Sequence, residues 1–310
     1  MAQQRLFTLA EHLRRRFSFR VRKIPLDAGF FCPNRDGTLS TEGCCFCNPR
    51  GSGSGLDKQG LRLPQQWEYW KQRLSRKRRA GAFLAYLQSF SNTYGPLEKL
   101  RFVLSEIAQL PDCIGLCLGT RPDCLDAEKL DLIASQPFSE TWLDLGLQSS
   151  NDETLARINR GHTAACFAAA VHEAAARNLS VCAHVIAGLP GETPEDFLAT
   201  IRFLNELPIR GVKFHNLYVC RGSTLARDWR NGGYTPLTLA CYADQITQAV
   251  AMLRPDIVVH RLNGDPAPDE LLAPDWAGRK TDVLQAIHGT LQTRNILQGQ
   301  LYSPKEPLCA

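Results

Sequence analysis

Short apolar runs alternate with amphipathic stretches along most of this chain, and no other feature limits the fold as much. Runs over residues 23–27, 83–88, 114–120, 142–148, 181–188 and 211–218 read as strands. Between them, apolar spacing predicts helices near 97–109, 127–135, 152–158, 164–177 and 194–206. Strands joined by crossovers long enough for helices lie parallel. Six such units are fewer than the eight that close a full barrel. The expected fold is therefore α/β, a partial (β/α)6 TIM-like open barrel. The core is expected over residues 20–255, after a basic N-terminal extension (1–19) and before a C-terminal extension packed on the core (256–310). At 310 residues the chain is long enough to bury one large core of this kind.

Polar and glycine residues gather where these strands end. QSFSNTYG follows the second, GTRPD the third, GLQSSND the fourth, GLPGET the fifth and NLYVCRGS the sixth. Any one of these could serve only to turn the chain and cap a helix. In parallel α/β folds, however, ligands bind at the carboxyl ends of strands, so the five segments would ring one pocket. Five together exceed what turn chemistry needs.

A cysteine loop follows the first strand: FFCPNRDGTLSTEGCCFCNPRGSGSG. Cys44 and Cys47 form a C-x-x-C pair, whose two-residue gap brings both sulfurs to one side. Cys32 joins them from eleven residues upstream, across a turn-forming stretch rich in Pro, Asn, Asp and Gly. Three thiolates leave one iron of a four-iron cubane open, since each iron takes one protein ligand when cysteine saturates the cluster. A structural zinc site would want a fourth ligand. Cys45 is at hand, but neighbouring side chains point apart in an extended chain. The spacing alone leaves an iron–sulfur site, a zinc site and inert thiols open. The GSGSG that follows reads as a flexible lip.

Composition bounds the class. The chain is 44% apolar and 22% charged, ordinary for a globular protein, and has no run of eighteen apolar residues. The basic N-terminus lacks the apolar segment of a secretory signal, and the scattered cysteines suit a reducing cytoplasm. The expectation is a cytoplasmic protein with no membrane partner. Residues 1–101 carry nineteen Lys and Arg against seven Asp and Glu, whereas the whole chain is only +5. Two basic clusters, residues 14–23 and 71–79, flank the cysteine loop in sequence. They predict an acidic partner, either a nucleic acid or an acidic electron carrier.

The constellation resembles the radical S-adenosylmethionine superfamily. Within it, the chain is similar to the YhcC/YtqA-like subfamily, related to the catalytic subunit of Elongator. KIPLDAGFFCPNRDGT, GCCFCN, QSFSNTYGPLEKL, GTRPDCL, WLDLGLQSSNDETLARINRGH, VIAGLPGET and HRLNGDPAPDELLAP carry the resemblance. The common superfamily motif has three residues between its first two cysteines; the eleven here are typical of the subfamily. The resemblance implies that Cys32, Cys44 and Cys47 ligate a [4Fe–4S] cluster, with S-adenosylmethionine on the fourth iron and Cys45 a bystander. It places Phe46 near the adenine, and it implies that Gln148 and Arg160 hold the cosubstrate. Arg suits the methionyl carboxylate because its planar fork can bond both oxygens. His184 stands where many relatives carry an Asp for the ribose. QSFSNTYG replaces the usual Gly-Gly segment, leaving Gln88, Asn92 and Thr93 as candidate acceptors for the methionyl amine. For Asn92 or Thr93, capping of the following helix is the alternative.

The implied chemistry is reductive cleavage of S-adenosylmethionine to a 5′-deoxyadenosyl radical that abstracts hydrogen from substrate. A flavodoxin- or ferredoxin-type electron donor would supply the electron. Kinship with Elongator makes tRNA wobble-uridine modification the leading expectation for the substrate. A radical enzyme acting on a small molecule or protein is one alternative, and a regulatory iron–sulfur protein without turnover is another. Cys113, Cys117, Cys124, Cys166, Cys182, Cys220, Cys241 and Cys309 lack close ligand spacing, which disfavours an auxiliary cluster.

Overall fold

The structure is a computed structural model, and it describes residues 4–48, 51, 56–75, 80–267 and 269–304. The chain opens on α1 (Leu9–Arg16). It then runs β1 (Val21–Leu26), α2 (Leu63–Ser75), β2 (Ala82–Leu87), α3 (Leu97–Ala108), β3 (Cys113–Thr120), α4 (Ala127–Ala134), β4 (Glu140–Gln148), α5 (Asp152–Arg157), α6 (Ala164–Ala176), β5 (Ser180–Ala187), α7 (Pro194–Asn205) and β6 (Gly211–Asn216). Beyond these lie β7 (Val219–Cys220), α8 (Thr224–Arg230), α9 (Leu239–Met252), β8 (Val258–Arg261), β9 (Leu271–Ala273) and α10 (Lys280–Thr293).

β1 to β6 pair in chain order, all parallel, and β8 adds to β6 as a seventh parallel strand. β1 and β8 form the two edges and do not pair, so the sheet is an open barrel wall. The expectation of six strands falls one short. The four-residue β8, VVHR, turns from apolar to charged after two residues, so its apolar signal is too brief to read. β7 and β9 form a small antiparallel ribbon.

Alternation builds the wall. On β2, Phe83, Ala85 and Leu87 pack outward in the large core shared with the helices, while Leu84 and Tyr86 belong to the inner cluster. On β4, Leu143, Leu145 and Leu147 face out, and Trp142 lies in the inner cluster. Side chains also set where the helices begin. Asp126, Asn151 and Thr163 each cap the helix they precede. Thr193 and Asp196 form a reciprocal capping box, with Pro194 in the first turn of α7.

The foot of the barrel, at the strand amino ends, is corked by α1. Leu13 is buried in the inner cluster with Trp142 and Val258, and Phe7, Leu9 and Phe17 pack around it. Thr8 pairs with Val259. Glu140, at the start of β4, accepts from Trp142 Nε1 at 2.6 Å and Arg16 Nε at 2.8 Å, and lies 2.7 Å from His12 Nε2. Arg14 and Arg15 both pair with Glu11. Arg22 donates to the Leu74 carbonyl at 3.3 Å, and Lys71 pairs with Asp112, just before β3, at 2.8 Å. Residues 76–79 of the second basic cluster lie outside the described residues. Arg14, Arg15, Arg16, Arg22 and Lys71 are therefore gathered at the foot, a full strand length from the cysteine loop, and Lys23 points into the barrel. The sequence puts them beside that loop only because β1 and α2 carry the chain from one end to the other.

Candidate active site at the strand carboxyl ends

The cysteine loop begins where β1 ends, at the mouth of the barrel. Cys32, Cys44 and Cys47 line one cavity there. Backbone bonds shape the loop: Arg35 N to Cys32 O at 2.9 Å, Gly43 N to Asn34 O at 2.7 Å, and Cys47 N to Cys44 O at 2.9 Å. Two side chains cinch it. The buried Asn34 amide donates to Asn159 O at 2.5 Å and lies 3.6 Å from Cys44 Sγ. Arg35 Nη2 donates to the carbonyls of Cys47 and Asn48 at 2.9 and 2.8 Å. Cys45 points elsewhere, into an apolar cluster with Leu155, Ile158 and Leu225, and does not line the cavity. Phe46 does line it.

Gln148 and Arg160 meet the cysteines across the cavity. A bulge between Gly146 and Gln148 ends the regular pairing of β4, and Gln148 itself adopts a left-handed φ of 77°. Arg160 Nη2 donates to Gly146 O at 2.7 Å, and Nη1 lies 3.6 Å from Cys44 Sγ. Its Nε is buried and has no partner. Gly146 makes this approach possible: a Cβ there would lie 2.4 Å from Arg160 Nη2 and 2.7 Å from Gln148 Nε2. Arg121, from the GTRPD turn, donates to the Arg160 carbonyl at 2.8 Å and pairs with Asp123 at 2.7 Å.

Gln88 lines the cavity, but Asn92 and Thr93 do not. The Asn92 amide donates to the carbonyls of Leu87, Ser89 and Gly119 at 3.2, 3.0 and 2.8 Å, tying the ends of β2 and β3 together. Thr93 Oγ1 lies 2.6 Å from Thr120 Oγ1. Neither residue caps α3, which has Pro96 at its N-cap. Their polarity meets the backbone's needs where two strands end.

His184 lies deeper, in a layer of polar side chains that the sequence reading did not assemble. Its ring stacks on His215 at 5.5 Å, and its Nε2 is 3.8 Å from Asp144 Oδ2, too far for a hydrogen bond. Burial and the nearby Lys213 ammonium hold His184 down to about 4, so it is neutral at pH 7. Burial works against the Asp144 carboxylate, but Lys213 and Lys23 outweigh it and keep the group ionised, well below the usual carboxylate range. Lys213 Nζ donates to Asp144 and, at 3.1 Å, to the Tyr86 hydroxyl. Asp144, Cys182 and His184 come within 4.8 Å of one another. A cation there would compete with the Lys213 ammonium already bonded to the carboxylate. The signal for this layer was present in the sequence: Asp144 is the one charge in the run 142–148 and Lys213 the one charge in the run 211–218, both at inward positions.

The donor set fits an iron–sulfur cluster with one site left open. Three thiols share a cavity, the fourth thiol of the loop is turned away, and N–H groups of Asn34 and Arg160 aim at the Cys44 sulfur. Burial pushes Cys47 up to about 11 and raises Cys32, a cost that a bound positive centre offsets. The unpartnered Arg160 Nε leaves one buried donor for a second ligand beside it.

A family model described as the Radical SAM superfamily matches residues 30–204, and a Radical_SAM C-terminal domain matches residues 209–293. The chain belongs to the radical S-adenosylmethionine superfamily and is an enzyme of that class, whose cofactors are a [4Fe–4S] cluster and S-adenosylmethionine. It is 33% identical to the uncharacterized protein YtqA of Bacillus subtilis, over 98% of this chain and 95% of that one. It is 31% identical to the tRNA uridine(34) acetyltransferase of Dehalococcoides mccartyi, over 65% of this chain and 43% of that protein. Among solved structures it resembles the archaeal Methanocaldococcus infernus Elp3 with an N-terminal deletion, at a TM-score of 0.68 and 14% identity. That match covers 90% of this chain and 64% of the other, and it shows a shared fold. Among the described residues, no helix is long and apolar enough to cross a membrane.

Proposed function

We propose that Cys32, Cys44 and Cys47 ligate the [4Fe–4S] cluster and that Arg160 and Gln148 hold S-adenosylmethionine beside it, with Phe46, Gln88 and His184 completing the wall. When bound and reduced, this pair supplies a 5′-deoxyadenosyl radical for hydrogen abstraction. The carrying observation is that three thiols of one loop, the glutamine that ends β4 and the arginine after α5 converge on one cavity at the strand carboxyl ends. The chain's own residues do the rest. Asn34 and Arg35 fix the cysteine loop, Arg121 fixes the Arg160 backbone, and the apolar cork at the foot closes the barrel to water from below. The electron donor is of the flavodoxin or ferredoxin type. Incubation with S-adenosylmethionine and dithionite tests enzyme against regulatory protein. The enzyme releases 5′-deoxyadenosine, whereas a sensor without turnover does not.

tRNA, at its wobble uridine, is the proposed substrate class. The partial similarity to a tRNA uridine(34) acetyltransferase supports it. The basic clusters do not, because Arg14, Arg16 and Lys71 lie at the foot and Lys23 inside the barrel. Nucleoside digests of bulk tRNA from deletion and wild-type cells test this substrate. A changed wobble-uridine profile is expected, and an unchanged one refutes it.

A further inference from the structure

Below the cysteines, three neighbouring strands present one row of side chains to the interior. His184 on β5 pairs in register with Lys213 on β6, and Lys213 with Arg261 on β8. His215 follows one inward step above Lys213, and Asn216 lies beside it. The register shift on β8 turns Arg261 inward as well as His260, and Arg261, His215, Asn216 and Tyr218 all line the cavity.

Charge in this layer does not balance. Lys213 is matched by Asp144. Lys23 lies 3.5 Å from His260 Nδ1 and over the face of Tyr86, and shares the one Asp144 carboxylate with Lys213. Among the described residues, no carboxylate pairs with Arg261. The open hydrogen-bonding positions include one fixed donor, the Asn216 amide, and ring nitrogens that can donate in one tautomer. Asn216 is 3% exposed; its Oδ1 accepts from Gly264 N at 2.8 Å, and its Nδ2 has no partner. His215 Nε2 is also buried and unpartnered. Buried donors without acceptors and a cation without a counter-charge are costly, so the layer is built to be completed by something that accepts and is negative.

We propose that this layer is an anion subsite, in which Arg261, Asn216 Nδ2 and His215 receive a carboxylate or phosphate group of the substrate. It deepens the radical-enzyme reading of the same cavity and rests on it. Arg261 provides the planar fork that suits either group. Asp144 Oδ1, a buried acceptor without a partner, takes a hydroxyl or amine of the same substrate. The carbon that loses hydrogen then lies between the anchored anion and the mouth.

Inorganic phosphate and malonate are the probes. Each is titrated by calorimetry into the reconstituted, unreduced enzyme saturated with S-adenosylmethionine, at ionic strength held constant with chloride. Saturation keeps the probes off Arg160. At least one should bind the wild-type enzyme, and the tighter of the two names the group. Arg261→Met should weaken it at least tenfold. Asn216→Asp keeps the acceptor for Gly264 N while replacing the free donor with an oxygen, and it should weaken binding as strongly; iron content checks that both variants fold. Arg14→Ser, at the foot, should bind as the wild type does. Binding of neither probe, or equal affinity in both cavity variants, overturns the subsite. An enzyme that cleaves S-adenosylmethionine but binds neither anion leaves the radical chemistry standing and the subsite wrong. Anion binding through Arg261 without cleavage is the reverse.

Discussion

The two ends of the barrel use arginine in opposite ways. At the foot, Arg14 and Arg15 pair with Glu11, and Arg16 with the buried Glu140, so each charge is answered by a carboxylate. At the mouth, Arg160 bonds a backbone carbonyl and approaches a sulfur, and its Nε is unpartnered. Arg35 likewise bonds the carbonyls of Cys47 and Asn48. The arginines of α1 are electrostatically spent, while at the mouth only Arg121 is answered by a carboxylate, Asp123, and Arg35 and Arg160 keep their charge available. The partners of a cation, rather than the density of cations in the sequence, mark where an anionic ligand can be held.

The comparison breaks first if the mouth is mutated without effect. Cys44→Ala should abolish both cluster and S-adenosylmethionine cleavage, read as iron content and 5′-deoxyadenosine. Arg160→Ala should weaken S-adenosylmethionine binding by on the order of 1.5–3 kcal/mol, as expected for a charged hydrogen bond. Its iron content should be unchanged, and equal affinity in calorimetry would remove Arg160 from the site.

The foot should answer in stability alone. Glu140→Ala leaves the buried Trp142 indole N–H without an acceptor and removes the carboxylate from His12 and Arg16, and should cost about 1–3 kcal/mol in a urea melt. S-adenosylmethionine affinity should not move. If affinity falls with stability, the two ends are coupled and the contrast between them is overdrawn.

The layer between the ends predicts a pH dependence. Burial, with Lys213, holds His184 down to about 4, and burial with nearby cations holds His215 and His260 well below the usual histidine range. As pH falls below about 6.5, the unfolded chain takes up protons that these folded histidines refuse. Stability should therefore decline from about pH 6.5 towards pH 4 and be fully present above it. A urea midpoint flat across that window contradicts neutral, buried histidines. The smallest effect is expected from the double change Arg14→Ser and Arg15→Ser. Exposed pairs with Glu11 contribute about 0–1 kcal/mol, and tRNA retention should be unaltered. Lost retention would put an RNA contact at the foot after all.

Much of this was legible in the sequence, for reasons that differ by element. Strands such as β2, with its run AFLAYL, and β3 are buried on both faces, so their apolar runs are long enough to read. α7 announces itself through Thr193, Pro194 and Asp196. The cysteine loop is legible because ligand spacing is local. β8 was hidden by its brevity, and α1 because a cork needs only one buried face, here Leu13 with its neighbours. Asn92 looked like a ligand residue because a side chain that ties off strand ends and one that binds a cosubstrate have the same polarity. The position of the basic clusters was beyond sequence reading, since β1 crosses the barrel between residues 20 and 27 and separates neighbours in the chain. The polar layer of Asp144, His184, Lys213 and Arg261 depends on register across several strands, which no single segment contains.

The central claim is that three thiols of the mouth, and not the fourth beside them, hold a four-iron cluster whose open iron meets S-adenosylmethionine. Electron paramagnetic resonance on the anaerobically reconstituted, reduced Cys45→Ala and Cys44→Ala chains, with and without S-adenosylmethionine, tests it most directly. Cys45→Ala should give a four-iron signal that changes when S-adenosylmethionine is added, and Cys44→Ala should give none. A silent Cys45→Ala beside a Cys44→Ala that keeps the signal, or a Cys45→Ala signal indifferent to S-adenosylmethionine, would contradict the account.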